Sequence, residues 1–403
     1  MRILHTSDWH IGRTLHGVDL SAAHASYFDH LVEAVHRERV AAVLVAGDVY
    51  DRALPSVESV ELLEDVLLRL TALTRVVITP GNHDSATRLG FGSALFRDRL
   101  SIRSKPLDAW CPVVIPDVSG DGSMWVYGVP YLDPDTTRYA LGETDQDGVR
   151  QPLARSHEAV MTAVMHRVRR DLAERRDGSG RRVPAVLMAH GFVVGGLACD
   201  SERDLRVGGV DSVPHGVFGG DGESLDYVAL GHLHGPQRVG PEDGHGPRLR
   251  YSGSPVAFSF SEMHHRKSST LVEFGADGAV TSTELVDAPV PRRLSEVRGD
   301  LVEVLGARFQ SQRCDWVRVV VTGDHRPNDL VSTVKRAFPY ALEVHFELNG
   351  GVRRLPGPRP DAADPLQVIG EFVEQVSNRP PDGRERLVLQ QAYEAVRSGE
   401  WSR

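Results

Sequence analysis

Three apolar runs early in this chain each end in a turn that carries metal-ligand chemistry. Ile3 and Leu4 lead to Asp8 and His10, the run Ala41 to Val45 leads to Asp48, and RVVIT leads to Asn82, His83 and Asp84. Two later runs repeat the design: VPAVLMAHG ends at His190, and LDYVALGHLHG ends at His232 and His234. Runs that are apolar on both faces suit central strands of a parallel sheet. Between the early runs lie helical patterns, residues 21–38 with Phe28, Leu31, Val32 and Val35 on one face, and residues 56–70. Strand alternating with helix predicts an α/β domain, whose ligands sit beyond the carboxyl ends of its strands.

A lone aspartate or histidine at a strand end is compatible with a solvated turn. Five such turns in one chain, three with glycine directly before the ligand residue, point instead to one assembled site. If extended backbone persists past the first strand, Asp8 and His10 fall on the same side. Glycine beside a ligand permits unusual backbone angles and close approach. The donor set mixes carboxylates, imidazoles and an amide oxygen without a thiolate, which suits Mn2+, Fe2+ or Zn2+ better than Mg2+. The donors outnumber what one ion needs, so two ions about 3.5–4 Å apart are expected. Such a pair activates water and takes up charge developing on phosphorus, which fits phosphate ester hydrolysis. His83, followed at once by Asp84, is read either as a direct participant that protonates a leaving oxygen or as a residue that only orders its loop.

Composition narrows the class. The 403 residues are 41% hydrophobic and 25% charged, with a net charge of -9, which argues against a protein that coats nucleic acid with its whole surface. A local basic groove and metal-compensated acids remain compatible with that charge. There is no run of 18 apolar residues for a membrane span, and no basic-then-apolar leader pattern. Cys111, Cys199 and Cys314 are scattered, neither a disulfide framework nor a zinc knuckle, and suit a reducing cytoplasm. His245, within the glycine-rich stretch at 240–248, reads as a surface loop residue, and RRDGSGRR reads as an exposed turn.

Further along, a helix is expected over 156–176, and Pro289 and Pro291 mark a composition shift. Domains are placed at 1–290, at 291–350 with a strand–helix–strand pattern, and at 351–403 with a linker and two helices. In the first of these helices, Asp364 is the expected N-cap, and Leu366, Ile369, Val373 and Val376 form a narrow apolar stripe, for a partner or for the chain's own core.

The stretches HTSDWHIGRTLHG, VLVAGDVYDRALPS, ITPGNHDS, AHGFVVGGLACDSERDLRVGGVDSVPHGVF, LDYVALGHLHGPQ and YSGSPVAFSFSE together resemble the calcineurin-like metallophosphoesterases, and within them the SbcD-type nuclease subunits. The resemblance implies a β-sandwich flanked by helices, with a small α/β capping domain and C-terminal helices. It implies one ion on Asp8, His10, Asp48 and His234, and another on Asp48, Asn82, His190 and His232, so that Asp48 bridges. His83 would be the catalytic histidine that holds no metal, with Asp84 orienting it. Also implied are Mn2+ dependence, double-strand exonuclease and single-strand or hairpin endonuclease activity on DNA in repair and recombination, a homodimer, and an SbcC-type ATPase partner whose coiled coil receives the terminal helices. The ligand turns alone are equally compatible with a phosphoesterase for nucleotides or phosphoproteins, or with a metal-bearing scaffold.

Overall fold

A computed structural model describes residues 1–96, 98–117, 122–144, 150–179, 182–202, 212–219, 225–240, 246–349, 366, 369–370, 373 and 379–398. Two compact units divide between Leu294 and Ser295. His245, Asp364 and Val376 lie outside the described residues, as do most of the expected helix over 364–376 and parts of the two glycine-rich loops.

The first unit is a sandwich of two six-stranded mixed sheets with helices on both outer faces. Its first sheet contains β1 (Arg2–Thr6), β2 (Ala42–Ala46), β3 (Arg75–Thr79), β4 (Leu100–Ile102), and, from much later in the chain, β11 (Ser268–Phe274) and β12 (Val280–Asp287). The order is β12-β11-β1-β2-β3-β4, with β1 to β4 mutually parallel and β11 antiparallel to β1. The second sheet contains β5 (Val113–Pro116), β6 (Ser123–Gly128), β7 (Ala185–His190), β8 (Tyr227–Gly231), β9 (Gln237–Val239) and β10 (Arg248–Tyr251). Its order is β9-β10-β8-β7-β6-β5, with β6, β7, β8 and β10 parallel.

Alternation along the strands builds three apolar layers. In β2, Ala42, Leu44 and Ala46 face the second sheet and meet Val126, Val186, Met188 and Ala229. Val43 and Val45 face the other way, onto helices α1 (Ser21–Glu38) and α2 (Val57–Leu73), which contribute Phe28, Leu31, Val35, Leu63, Val66 and Leu70. The outer face of the second sheet is closed by α3 (His157–Ser179), through Val160, Val164, Met165, Val168 and Leu172. Their spacing of three and four places them on one helical stripe. Ser56 caps α2 by accepting the amide of Ser59, which explains why the helix begins at Val57.

The second unit contains a three-stranded sheet, β13 (Leu294–Gly299), β14 (Trp316–Gly323) and β15 (Ala341–Leu348), in that order. The parallel pair β14 and β15 is joined through helix α4 (Leu330–Ala337), with Val317, Val319, Val321, Leu330, Val334 and Phe338 in its core. β13 has no counterpart in the sequence reading. A last helix, α5 (Gly383–Ser398), leaves Leu387 and Val388 exposed. Among the described residues, no helix is long and apolar enough to cross a membrane.

Leu44 sits at the centre of the layer between the sheets with no solvent exposure. Leu44→Ala is therefore expected to cost about 2–5 kcal/mol in denaturant unfolding. A loss within experimental error of zero would contradict this packing.

Candidate metal centre

The parallel strands of both sheets open their carboxyl ends at one rim, and the candidate ligands gather there. Asp8 and His10 follow β1, Asp48 follows β2, and Asn82 and His83 follow β3; from the opposite sheet His190 ends β7, and His232 and His234 follow β8. The loops after β1 and β2 extend their pairing, with the amides of Asp8 and His10 donating to the carbonyls of Gly47 (3.0 Å) and Asp48 (2.9 Å). Extended backbone does not persist past Thr6, as φ is +53° at Asp8 and +43° at His10. The two side chains reach one site for a different reason. Trp9 between them turns into the core, packs edge-on against Phe28, and donates its indole N–H to Thr6 Oγ1 at 2.9 Å.

Four candidate ligands are held at positive φ: Asp8, His10, Asp48 (+50°) and His232 (+108°). Each such residue costs on the order of 1–3 kcal/mol, a strain that concentrates at functional sites. Glycine makes the close packing feasible. At Gly47, with φ of +86°, a β-carbon would stand 2.1 Å from His190 Nδ1.

Asp48 is the hub. Its Oδ2 lies 3.4 Å from His190 Nε2, 3.6 Å from His10 Nε2 and 4.0 Å from His83 Nε2, while Oδ1 accepts the His83 amide at 2.9 Å. Asn82 Oδ1 lies 3.0 Å from His190 Nε2 and 3.2 Å from His232 Nδ1. Asp8 accepts the His232 amide at 2.9 Å and the Ser7 hydroxyl at 2.5 Å. His10 Nε2 and His234 Nε2 face each other at 3.1 Å. Donor atoms of Asp8, His10 and His234 lie within 4.8 Å of one another, as do those of Asp8, Asp48 and His190.

These groups fit a pair of divalent cations. The His190 Nδ1–H donates to the carbonyl of Ala46 (2.9 Å), so in the neutral ring the Nε2 lone pair points at Asn82 and Asp48 oxygens. Converging acceptors require positive charge between them. His10 Nδ1 is buried with no hydrogen-bond partner. The titration pattern makes the same demand. Burial opposes charge on His190, but the Asp48 and Asp8 carboxylates outweigh it and raise the ring to about 9. Burial pushes Asp8 up to about 6, against the pull of His190 and His234. Burial and the neighbouring His190 hold His232 down at about 3.

His83 enters the cluster, but Asp84 does not orient it. The Asp84 carboxylate is used by three backbone amides, those of Gly81 (2.9 Å), Val49 (3.0 Å) and Tyr50 (2.9 Å), so it staples the loops after β2 and β3 together. The His83 ring is held by Asp51, whose carbonyl accepts Nδ1–H at 2.9 Å and leaves Nε2 facing Asp48. The Asp84 carboxylate makes its hydrogen bonds to backbone amides and not to the neighbouring His83 ring, so adjacency in sequence does not become contact here. Sequence reasoning also passes over Ser201, Glu202 and Glu262. Glu202 Oε1 accepts the His234 amide at 2.7 Å, and Ser201 Oγ lies 2.8 Å from His234 Nδ1.

A two-sheet sandwich that gathers such donors at its carboxyl rim defines a metallophosphoesterase. The calcineurin-like phosphoesterase family matches residues 1–236, and the chain belongs to that family. It is 34% identical over 321 residues to SbcD, the D component of the SbcCD nuclease, of Rhodobacter capsulatus, an overlap covering 76% of this chain and 75% of the relative. Among solved structures it is similar to the protein TT1561 of Thermus thermophilus, at 13% identity and a TM-score of 0.37, over 71% of this chain and 98% of that one.

Metal affinity should depend on pH with a definite sign. Cations compete with protons for Asp8 and for His190, so affinity should climb as pH rises through 6 and towards 9. Calorimetric titration with Mn2+ across about pH 5.5–8.5 checks this, and a flat profile would contradict it. Asp48→Ala, which removes the hub, should abolish tight binding of both ions at every pH.

Proposed function

We propose that this chain is the nuclease subunit of an SbcCD-type complex, a Mn2+-dependent DNA phosphodiesterase. One observation carries the reading: the likeness to the nuclease subunit runs over 321 residues, longer than the 236-residue span shared with phosphoesterases at large. It therefore extends past the ligand loops, the last of which ends at His234.

In this reading Asp8, His10, Asp48 and His234 hold one ion, and Asp48, Asn82, His190 and His232 hold the other. The pair, when bound, supplies Lewis-acid activation of water and charge neutralisation at phosphorus. The chain's own residues do the remainder. Asp51, through its carbonyl, keeps the His83 proton on Nδ1 and turns Nε2 towards the hub. His83, when it enters the reaction protonated, can hand a proton to the leaving oxygen. The complex would act as an ATP-dependent double-strand exonuclease and as a single-strand and hairpin endonuclease. An SbcC-type ATPase with a coiled coil is the expected partner, and Leu387 and Val388, exposed on α5, are apolar residues that suit such a contact.

The function is tested on hairpin and single-stranded DNA with Mn2+, with and without the ATPase. His83→Ala should bind both ions yet lose activity by about 10²–10⁴-fold, the usual share of a general acid. Near wild-type turnover at saturating Mn2+ would remove His83 from the chemistry. Cleavage of nucleotides or phosphopeptides in preference to DNA would overturn the substrate.

A homodimer belongs to the same proposal. Helix α2 buries Leu63, Val66 and Leu70, whereas Val57, Val60 and Leu68 on its other side stay exposed. That face suits a symmetric contact between subunits. Sedimentation at micromolar concentration should report a dimer that Leu68→Glu converts to monomer; a wild-type monomer would leave dimerisation to the ATPase.

A further inference from the structure

A serine hydroxyl carries one proton, and at Ser201 two neighbours compete for it. Ser201 Oγ lies 2.5 Å from Glu262 Oε1 and 2.8 Å from His234 Nδ1. Glu262 is acceptor on both oxygens. Its Oε1 also takes the Phe258 amide at 3.0 Å, and its Oε2 takes the Lys267 ammonium. Lys267 is itself fixed by the Ser254 hydroxyl oxygen (2.8 Å) and the His234 carbonyl (3.2 Å), and both members of the ion pair are buried. The Ser201 proton therefore goes to Glu262, because a carboxylate outcompetes an imidazole nitrogen for it. The Ser201 oxygen is left to accept, so His234 must carry its proton on Nδ1. That places the Nε2 lone pair towards His10 and the metal centre.

The serine has little freedom to do otherwise. Its carbonyl accepts from Arg13 Nη2 at 2.6 Å, and Arg13, three residues beyond His10, lies over the Phe258 ring. The next residue, Glu202, holds the His234 amide. Cys199 Sγ, 3.1 Å from Ser201 Oγ, directs its own proton to Glu202. One other ligand ring differs in this respect. His190 is fixed by a backbone carbonyl, so no side-chain substitution loosens it directly.

We propose that Ser201 and Glu262 are positioning residues: they lock His234 in its Nδ1–H tautomer and so set the affinity of one of the two ions. The proposal rests on the reading of His234 as a ligand. Nothing in it involves the ion held through His190, so the two affinities should respond separately.

The test uses the full chain, calorimetric Mn2+ titration, and imidazole 15N spectra of the metal-free protein recorded above about pH 10. There His234 is neutral: burial opposes its charge, but hydrogen bonds to Cys199 and Glu262 raise the ring to about 10. Ser201→Ala should weaken one ion by about 10–100-fold, the usual cost of losing a partner behind a ligand. It should leave the other ion and the melting temperature nearly unchanged, and turn the His234 resonance from Nδ1–H into a tautomer mixture. Ser201→Thr, which keeps the hydroxyl, should restore both readouts. Glu262→Gln should act in the same direction, with a lower melting temperature because Lys267 is left without its counter-charge. His234→Ala separates the two levels. If that variant binds both ions normally, the ligand reading fails; if it loses one ion while Ser201→Ala keeps wild-type affinity and tautomer, the positioning proposal alone is overturned.

Discussion

A buried carboxylate with imidazole nitrogens from both sheets arranged around one of its oxygens is the constraint on which the rest depends. Asp48 has almost no exposure, and its Oδ2 looks towards His10 and His83 from its own sheet and His190 from the other. Such a charge is tolerable in the interior only if positive charge or hydrogen-bond donors compensate it. The rings around it, His190 first, favour the ionised form and hold Asp48 well below the usual carboxylate range despite its burial, and the His83 amide donates to its other oxygen. Everything that brings those rings within reach follows: two sheets rather than one, parallel strands that end at the same rim, and the small residues Gly47 and Ala46 where the sheets approach.

Much of this was legible in the sequence. An apolar run ending in a glycine and a ligand residue is a local pattern, and a parallel sheet turns it into a place. Thus Asp8, Asp48, Asn82, His190 and His232 can be read together from the order of residues alone. Helices α1 and α2 were legible because a helix facing a sheet must keep one apolar stripe, and Leu31, Val35, Leu63 and Leu70 keep it.

What was not legible has a common cause. Ser201, Glu262 and Asp51 act through single contacts made by loops, and a lone polar residue in a loop carries no period. The job of Asp84 was hidden because adjacency in sequence suggests contact with His83, whereas the turn sends its carboxylate to three backbone amides. The left-handed angles at Asp8 and His10 were equally hidden. They depend on Trp9 finding room beneath α1, a fact of tertiary packing that overrides the alternation expected of a continuing strand.

The place of β1 in its sheet governs how the protein comes into being. One edge of β1 pairs with β2, the next long strand in the chain, but the other pairs with β11, and the Met1 and Phe274 backbones bond to each other across that junction at 3.0 and 2.8 Å. A ribosome must therefore complete nearly the whole first unit before the strand that presents Asp8 and His10 is flanked on both sides. Glu262 and Lys267 emerge only just ahead of β11. The pieces that close the sheet and the pieces that set the His234 ring thus arrive together, and a nascent chain acquires its metal centre as one of the last acts of folding this unit.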